Sequence, residues 1–162
     1  MPLRPHQIDA LDAMANNPKG QVIVPTGGGK TMCMIEDAKR VFRTQEVATI
    51  VVVAPRILLA EQLCSEFLET GEFNDVRVMH VQSGETEHFS WDTDRSYFFT
   101  ATPKHSLTPF KAGMNDSDIF GEVICQVPAP QLVKHGYILP PKVDVYESRL
   151  LNKHELVADK DC

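Results

Sequence analysis

The chain lacks a long apolar run. Its longest, Ala48 to Ala54, is interrupted by Thr49, well short of the ~20 residues a helix needs to cross a bilayer. It lacks clustered cysteines. Cys33, Cys64, Cys125 and Cys162 lie far apart with no C-x-x-C pair, which favours free thiols in a reducing compartment over a disulfide frame or a zinc site. It lacks a positive balance. Sixteen Lys and Arg face 22 Asp and Glu, for a formal net charge of −6, so any nucleic-acid contact has to come from a local basic patch. Met1-Pro2-Leu3-Arg4-Pro5-His6 lacks the apolar core of a secretory leader. The six histidines show no metal-ligand spacing, and no serine sits in a nucleophile-elbow context. No Asp is followed directly by Glu anywhere in the chain.

What is there fits one domain. The chain has 162 residues, 43% of them hydrophobic, which is enough to bury a core. A charged fraction of 23%, with nine glycines and eleven prolines, excludes wholesale disorder and collagen-like repeats.

The pattern alternates strand and helix. Ile8, Leu11 and Met14 form a helical stripe within residues 6–16. Gln21 to Val24 reads as a buried strand, followed by a glycine run and a helix from Lys30 to about Phe42. Val47 to Val53 is the most strongly apolar segment and reads as a parallel strand covered on both faces. A helix over 56–70 follows, with Leu59, Leu63 and Phe67 spaced by four. Further strands are expected over 76–81, 97–100, 122–127 and 142–146, with a short helix over 131–135. Such alternation with short connections predicts a parallel sheet with helices on both sides. The residues from 149 onward are polar and read as a frayed tail.

Val24-Pro25-Thr26-Gly27-Gly28-Gly29-Lys30-Thr31 carries the chemistry. It fits G-x-x-x-x-G-K-[ST] except that Val24 occupies the first glycine position. Glycines let successive main-chain N–H groups turn toward a phosphate, and a helix starting at Lys30 adds its N-terminal dipole. Lys30 would pair with β- and γ-phosphates, and the Thr31 hydroxyl would sit on Mg²⁺.

Pro25 to Thr31 resembles motif I of superfamily-2 helicases. Leu3-Arg4-Pro5-His6-Gln7 resembles their upstream glutamine motif. Val53-Ala54-Pro55-Arg56-Ile57-Leu58-Leu59-Ala60-Glu61-Gln62 is similar to motif Ia, and Thr100-Ala101-Thr102-Pro103 to motif III. Gly136-Tyr137-Ile138-Leu139-Pro140-Pro141 resembles the segment leading out of the first RecA-like domain. The nearest subgroup is the type III restriction and UvrB-like helicases, phage UvsW-type repair helicases included. The resemblance implies a three-layer α/β RecA-like P-loop domain over residues 1–148, with 149–162 as the tail.

It also implies roles. Thr26, Gly27, Gly28, Gly29, Lys30 and Thr31 would hold ATP or ADP with Mg²⁺, and Gln7 would read the adenine edge. Arg56 and Gln62 would touch a nucleic-acid backbone. Thr100 and Thr102 would couple the nucleotide site to the strand-binding side.

The resemblance has gaps. Motif II, an apolar strand ending in Asp-Glu-Ala-His or a variant, has no counterpart. In Glu85-Thr86-Glu87-His88 a threonine stands where the water-activating Glu belongs. Gly84 to Arg95 alone separates the strand after motif Ia from the strand of motif III. The sequence therefore reads as a helicase domain with an internal deletion closed near His88 to Asp94. Trp91 in that loop reads as an anchor or as a base-stacking ring. The second RecA-like domain, with the arginine fingers of motif VI, is not in the sequence.

No catalytic residue is expected in this chain. The leading reading is a domain that binds nucleotide weakly and does not hydrolyse it. The alternatives are a nucleic-acid- or protein-binding regulatory module, and an ATPase completed by a partner or a second copy. Weak, salt-dependent contact with single- or double-stranded DNA is expected, without a membrane partner, in a bacterial or phage-infected cytoplasm. The missing motif II strand predicts that Thr49 to Val53 pairs directly with Tyr97 to Thr100. An exposed edge that invites a homodimer is the alternative.

Overall fold

The computed structural model describes residues 2–54, 56–71, 73, 93–107 and 113–142. Its elements in chain order are α1 (Pro5–Asn16), β1 (Lys19–Ile23), α2 (Lys30–Thr44), α3 (Ile57–Glu69), β2 (Ser96–Thr100), α4 (Ser117–Phe120), β3 (Val123–Gln126) and α5 (Ala129–Lys134).

Pro5 opens α1 at its first position, where a missing N–H costs nothing. The Gln7 side chain caps it, accepting the Arg4 N–H at 2.8 Å. At the other end the Asn17 amide donates to the Ala13 carbonyl at 2.8 Å. The buried face of α1 is His6, Gln7, Ala10 and Met14. This corrects the expected stripe: Met14 is in it, but Ile8 is 46% exposed. Helical spacing alone fits two adjacent faces here, and the packing against β1 and α2 selects the one rotated toward Gln7 and Ala10.

Among the described residues three parallel strands form the sheet in the order β2-β1-β3. β1 is central, with Gln21 beside Phe98 on one side and Val123 on the other. The β1–β3 register shifts between Gln21 and Val22. One face carries Val22 and Val24, which join Ala10, Met14, Cys33, Val127 and Leu132 in the main core. Each fully buried aliphatic side chain there contributes about 1.5–3 kcal/mol. On the other face Phe98 meets Phe120 of α4 edge-on at 4.9 Å. There the buried Gln21 amide donates to the carbonyls of Met114 and Gly121 at 2.7 and 2.8 Å. Ile35 and Ala38 of α2 form a second cluster with Phe73, flanked by Phe42 and Phe67. The α/β class expected from the sequence, with a shortened parallel sheet, is the class observed.

One expected strand is not formed. Val47 to Val53 is irregular and outward-facing, with Val47 89% and Val53 73% exposed. It does not pair with β2, so the direct repair of the sheet by Thr49 to Val53 is absent. Strand composition measures fit to a pleated, half-buried surface, and among the described residues no such surface covers this run. The strand expected over 76–81, the Glu85-Thr86-Glu87-His88 stretch, Trp91, residues 143–146 and the tail from 149 lie outside the described residues. Among the described residues no helix is long and apolar enough to cross a membrane.

Candidate functional site

β1 ends at Ile23, and the buried Val24 leads into the glycine loop. Gly28 N–H donates to the Pro25 carbonyl at 3.0 Å, closing a turn. Gly27 and Gly29 sit at φ +77° and +84°, the left-handed region that a side chain disfavours. Gly28 is fixed by space instead: a Cβ there would lie 2.5 Å from Val24 Cγ1. α2 starts directly after Gly29. Its first i→i−4 bond is Cys33 N–H to the Gly29 carbonyl at 3.4 Å. The N–H groups of Lys30, Thr31 and Met32 precede that bond and form the open positive end of the helix.

The loop is held from behind by the start of α1. Arg4 Nη1 donates to the Gly27 carbonyl at 3.5 Å. His6 Nε2 donates to the Gly28 carbonyl at 2.8 Å. Gln7 Nε2 donates to the Gly29 carbonyl at 3.3 Å. Three successive carbonyls thus meet residues of one helix start. α5 and the segment after it back the same loop. Leu132 is fully buried beside Gly28, and Ile138 Cγ2 would stand 3.3 Å from a Cβ at Gly27. The Arg4 guanidinium lies 4.7 Å from the Tyr137 ring centroid, and the His6 ring 5.6 Å from it.

Lys30 reaches back across the loop, donating to the Val24 and Pro25 carbonyls at 3.0 and 3.3 Å. Burial holds its ammonium below the ordinary lysine range, partly offset by the neighbouring Cys33. Cys33 lies under the loop, and burial pushes its thiol up to about 11. Thr31 is half-buried in the first turn of α2, and Thr26 is exposed at the loop's crest.

The strand carrying Thr100 borders this site. The Val24 N–H donates to the Thr100 carbonyl at 2.9 Å, one residue before the loop begins. Thr100 Oγ1 accepts the Thr102 N–H at 3.1 Å, tightening the turn out of β2. Gln7, the residues of the 26–31 loop and Thr100 are therefore brought together around one strand end. Arg56 and Gln62 belong to a separate element. Arg56 is the exposed cap of α3, and the Gln62 amide donates to Glu66 at 2.6 Å.

Sequence reasoning missed Arg4, His6, Leu132 and Tyr137 as loop supports. The available signal was adjacency: His6 sits beside Gln7 in the first turn of a helix that opens with Pro5. Among the described residues no group of three or more His, Cys, Asp or Glu could hold a metal ion.

A family model described as the type III restriction enzyme, res subunit, matches residues 1–117. No curated protein matches the chain. The matched span contains α1, the glycine loop with the helix that opens on Lys30, and the strand ending at Thr100, and the chain belongs to the family of the type III restriction enzyme res subunit.

Proposed function

We propose that the chain is a helicase-like nucleotide-binding domain that holds ATP or ADP by its phosphates and does not hydrolyse them on its own. The observation that carries this is the loop geometry. The Gly27, Gly28 and Gly29 carbonyls are engaged on the α1 side, and the free N–H groups at the start of α2 address the opposite side. The residues fit a phosphate group: a Cβ at Gly28 would strike Val24 and one at Gly29 would strike Gln7, so the cradle depends on bare glycine backbone.

Within this reading, Lys30 exchanges its loop carbonyls for phosphate oxygens. Thr31 would offer its hydroxyl to a nucleotide-bound Mg²⁺. Gln7 keeps one carbonyl lone pair and one N–H beyond its bonds to Arg4 and Gly29; only 5% exposed, it would have to turn outward to read adenine. The metal would supply neutralisation of phosphate charge.

Hydrolysis requires more. No Asp-Glu pair is in the chain. A general base is worth roughly 10²–10⁴ in rate, so without one turnover is negligible. DNA contact is the weaker part of the reading. Arg56 is offset by Glu61, Glu66 and Glu69 on the same helix, so binding is weak and salt-dependent.

A second reading, a binding module with no nucleotide chemistry, is favoured by one observation: the exposed apolar run Val47 to Val53. A homodimer through that surface is one form of it.

Titration calorimetry with ADP and Mg²⁺, on the wild-type chain and Lys30→Ala, separates the two. Heat with the wild type and none with the variant supports the first reading. Identical traces reject it. A phosphate-release assay with and without single-stranded DNA should stay at background. Turnover above background would mean that the missing groups are supplied by another copy.

A further inference from the structure

The glycine loop poses a physical problem. Consecutive glycines let a peptide unit turn its N–H toward a phosphate, but they also let it turn away at little cost. Two peptides, Gly27–Gly28 and Gly28–Gly29, have glycine on both flanking torsions; the N–H of the first is tied to the Pro25 carbonyl, so the Gly28–Gly29 peptide is the critical unit. In a planar trans peptide the C=O and the following N–H point in opposite directions. Whatever fixes the Gly28 carbonyl therefore also aims the Gly29 N–H.

That carbonyl is held by His6. The Nε2 to oxygen distance is 2.8 Å, against 3.5 Å for Arg4 on Gly27 and 3.3 Å for Gln7 on Gly29. His6 is 3% exposed, so water does not compete for the bond. A carbonyl oxygen only accepts, so Nε2 carries the proton. The ring is kept in place by Tyr137 beside it at 5.6 Å. Leu132 packs beside the same glycine, its Cδ1 3.1 Å from where a Cβ on Gly28 would lie.

We propose that His6 is a positioning residue of the phosphate loop, whose Nε2–H pins the Gly28 carbonyl and so presents the Gly29 N–H to the phosphates of a nucleotide. This rests on the nucleotide-binding reading above and adds a residue to it. Without the donor, the peptide flips part of the time. In the flipped state it offers a carbonyl oxygen to an anion, which repels it. Affinity falls by the fraction of time the unit spends flipped.

The test uses the full chain with three variants at one position. His6→Gln places an amide N–H near the Nε2 position. His6→Asn is polar but too short to reach. His6→Leu keeps volume and removes the donor. ADP and pyrophosphate are titrated into each, and the Gly29 amide is followed by ¹⁵N–¹H NMR as pyrophosphate is added.

The expected result is a loss of about tenfold for both ligands with Asn and Leu and near wild-type affinity with Gln. The Gly29 amide should move downfield on pyrophosphate in the wild type and in Gln. If Leu fails to fold, the Gln and Asn pair decides. Equal affinities across the variants, or a Gly29 shift that survives in Asn, overturn the inference while wild-type ADP binding leaves the functional reading standing. Loss in Gln as severe as in Asn overturns it too, because the donor is then not what matters. No ADP binding by the wild type overturns both.

Discussion

The hydroxyl of Tyr97 lies 2.8 Å from the carbonyl of Asn17, joining β2 to the end of a helix eighty residues earlier in the chain. It lies 2.5 Å from the Met14 carbonyl as well. Arg95 Nε donates to the same hydroxyl at 2.9 Å, leaving the tyrosine proton for a carbonyl. The two ends of α1 thus have different tasks: its start holds the glycine loop, and its end is moored to β2.

Tyr97→Phe should therefore loosen the mooring without disturbing the core face of the ring. The expected cost is about 0.5–1.5 kcal/mol, the range for losing one hydrogen bond of a half-buried side chain. Urea unfolding measures it. A midpoint unchanged from the wild type would mean that Arg95 alone secures the helix end.

Gly28→Ala should destabilise the domain in the absence of any ligand. Its Cβ would lie 2.5 Å from Val24 Cγ1 and 3.0 Å from the Pro25 carbonyl. The second contact is main chain and cannot yield by a rotamer change. Overpacking of this kind costs about 1–3 kcal/mol, read from the thermal midpoint. ADP affinity should fall with it, since the strain acts on the loop itself.

The pH dependence of nucleotide binding follows from Lys30. The protonated amine binds phosphate, and burial lowers its pKa. Affinity for ADP should then begin to decline at a lower alkaline pH than an ordinary lysine would dictate. The sign is fixed: affinity falls as pH rises, because the free protein loses the proton that the complex needs. Titrations across the alkaline range check this, and Lys30→Arg should flatten whatever decline the lysine causes. A profile as steep in the arginine variant as in the wild type would assign the titration to another group.

Cys33 should be inert in the folded chain. Burial pushes its thiol up to about 11, leaving about one thiolate in a thousand at pH 8, and its side chain is fully enclosed. Iodoacetamide followed by peptide mass analysis should label Cys64, which is partly exposed, well before Cys33. Labelling of Cys33 should appear only in denaturant. Equal rates without denaturant would show that the space under the loop opens in solution.

Much of the fold was legible because it is written locally. Pro5 sets a helix start, Gly29-Lys30 a loop-to-helix junction, and Gln21-Val22-Ile23-Val24 a buried strand. The strand and helix around the loop fall within two residues of where the pattern puts them. Ile8 was misplaced because apolarity marks a helix face only to within one position, and the neighbours choose. Val47 to Val53 failed for a different reason. A strand is a property of a pair, and the sequence of one member does not state whether the other is present. The candidate site divides in the same way. Gly27 to Thr31 announce themselves by composition. His6, Leu132 and Tyr137 act through contacts that span more than twenty residues of chain; His6 is hinted at only by standing beside Gln7, and nothing in the local sequence of Leu132 or Tyr137 carries that information.

The exposed run from Val47 to Val53 sets a limit on how concentrated the protein can be kept. It is rich in β-branched side chains, carries no charge and contains no proline, the composition that seeds cross-β stacking. Glu46 before it and Pro55-Arg56 after it are the kinds of residue that restrain such stacking, and the net charge of −6 keeps molecules apart at low salt. Turbidity on storage should therefore rise more steeply than in proportion to protein concentration and accelerate with added salt. A single Val52→Lys change should slow it at no cost to the core, because Val52 is already 39% exposed.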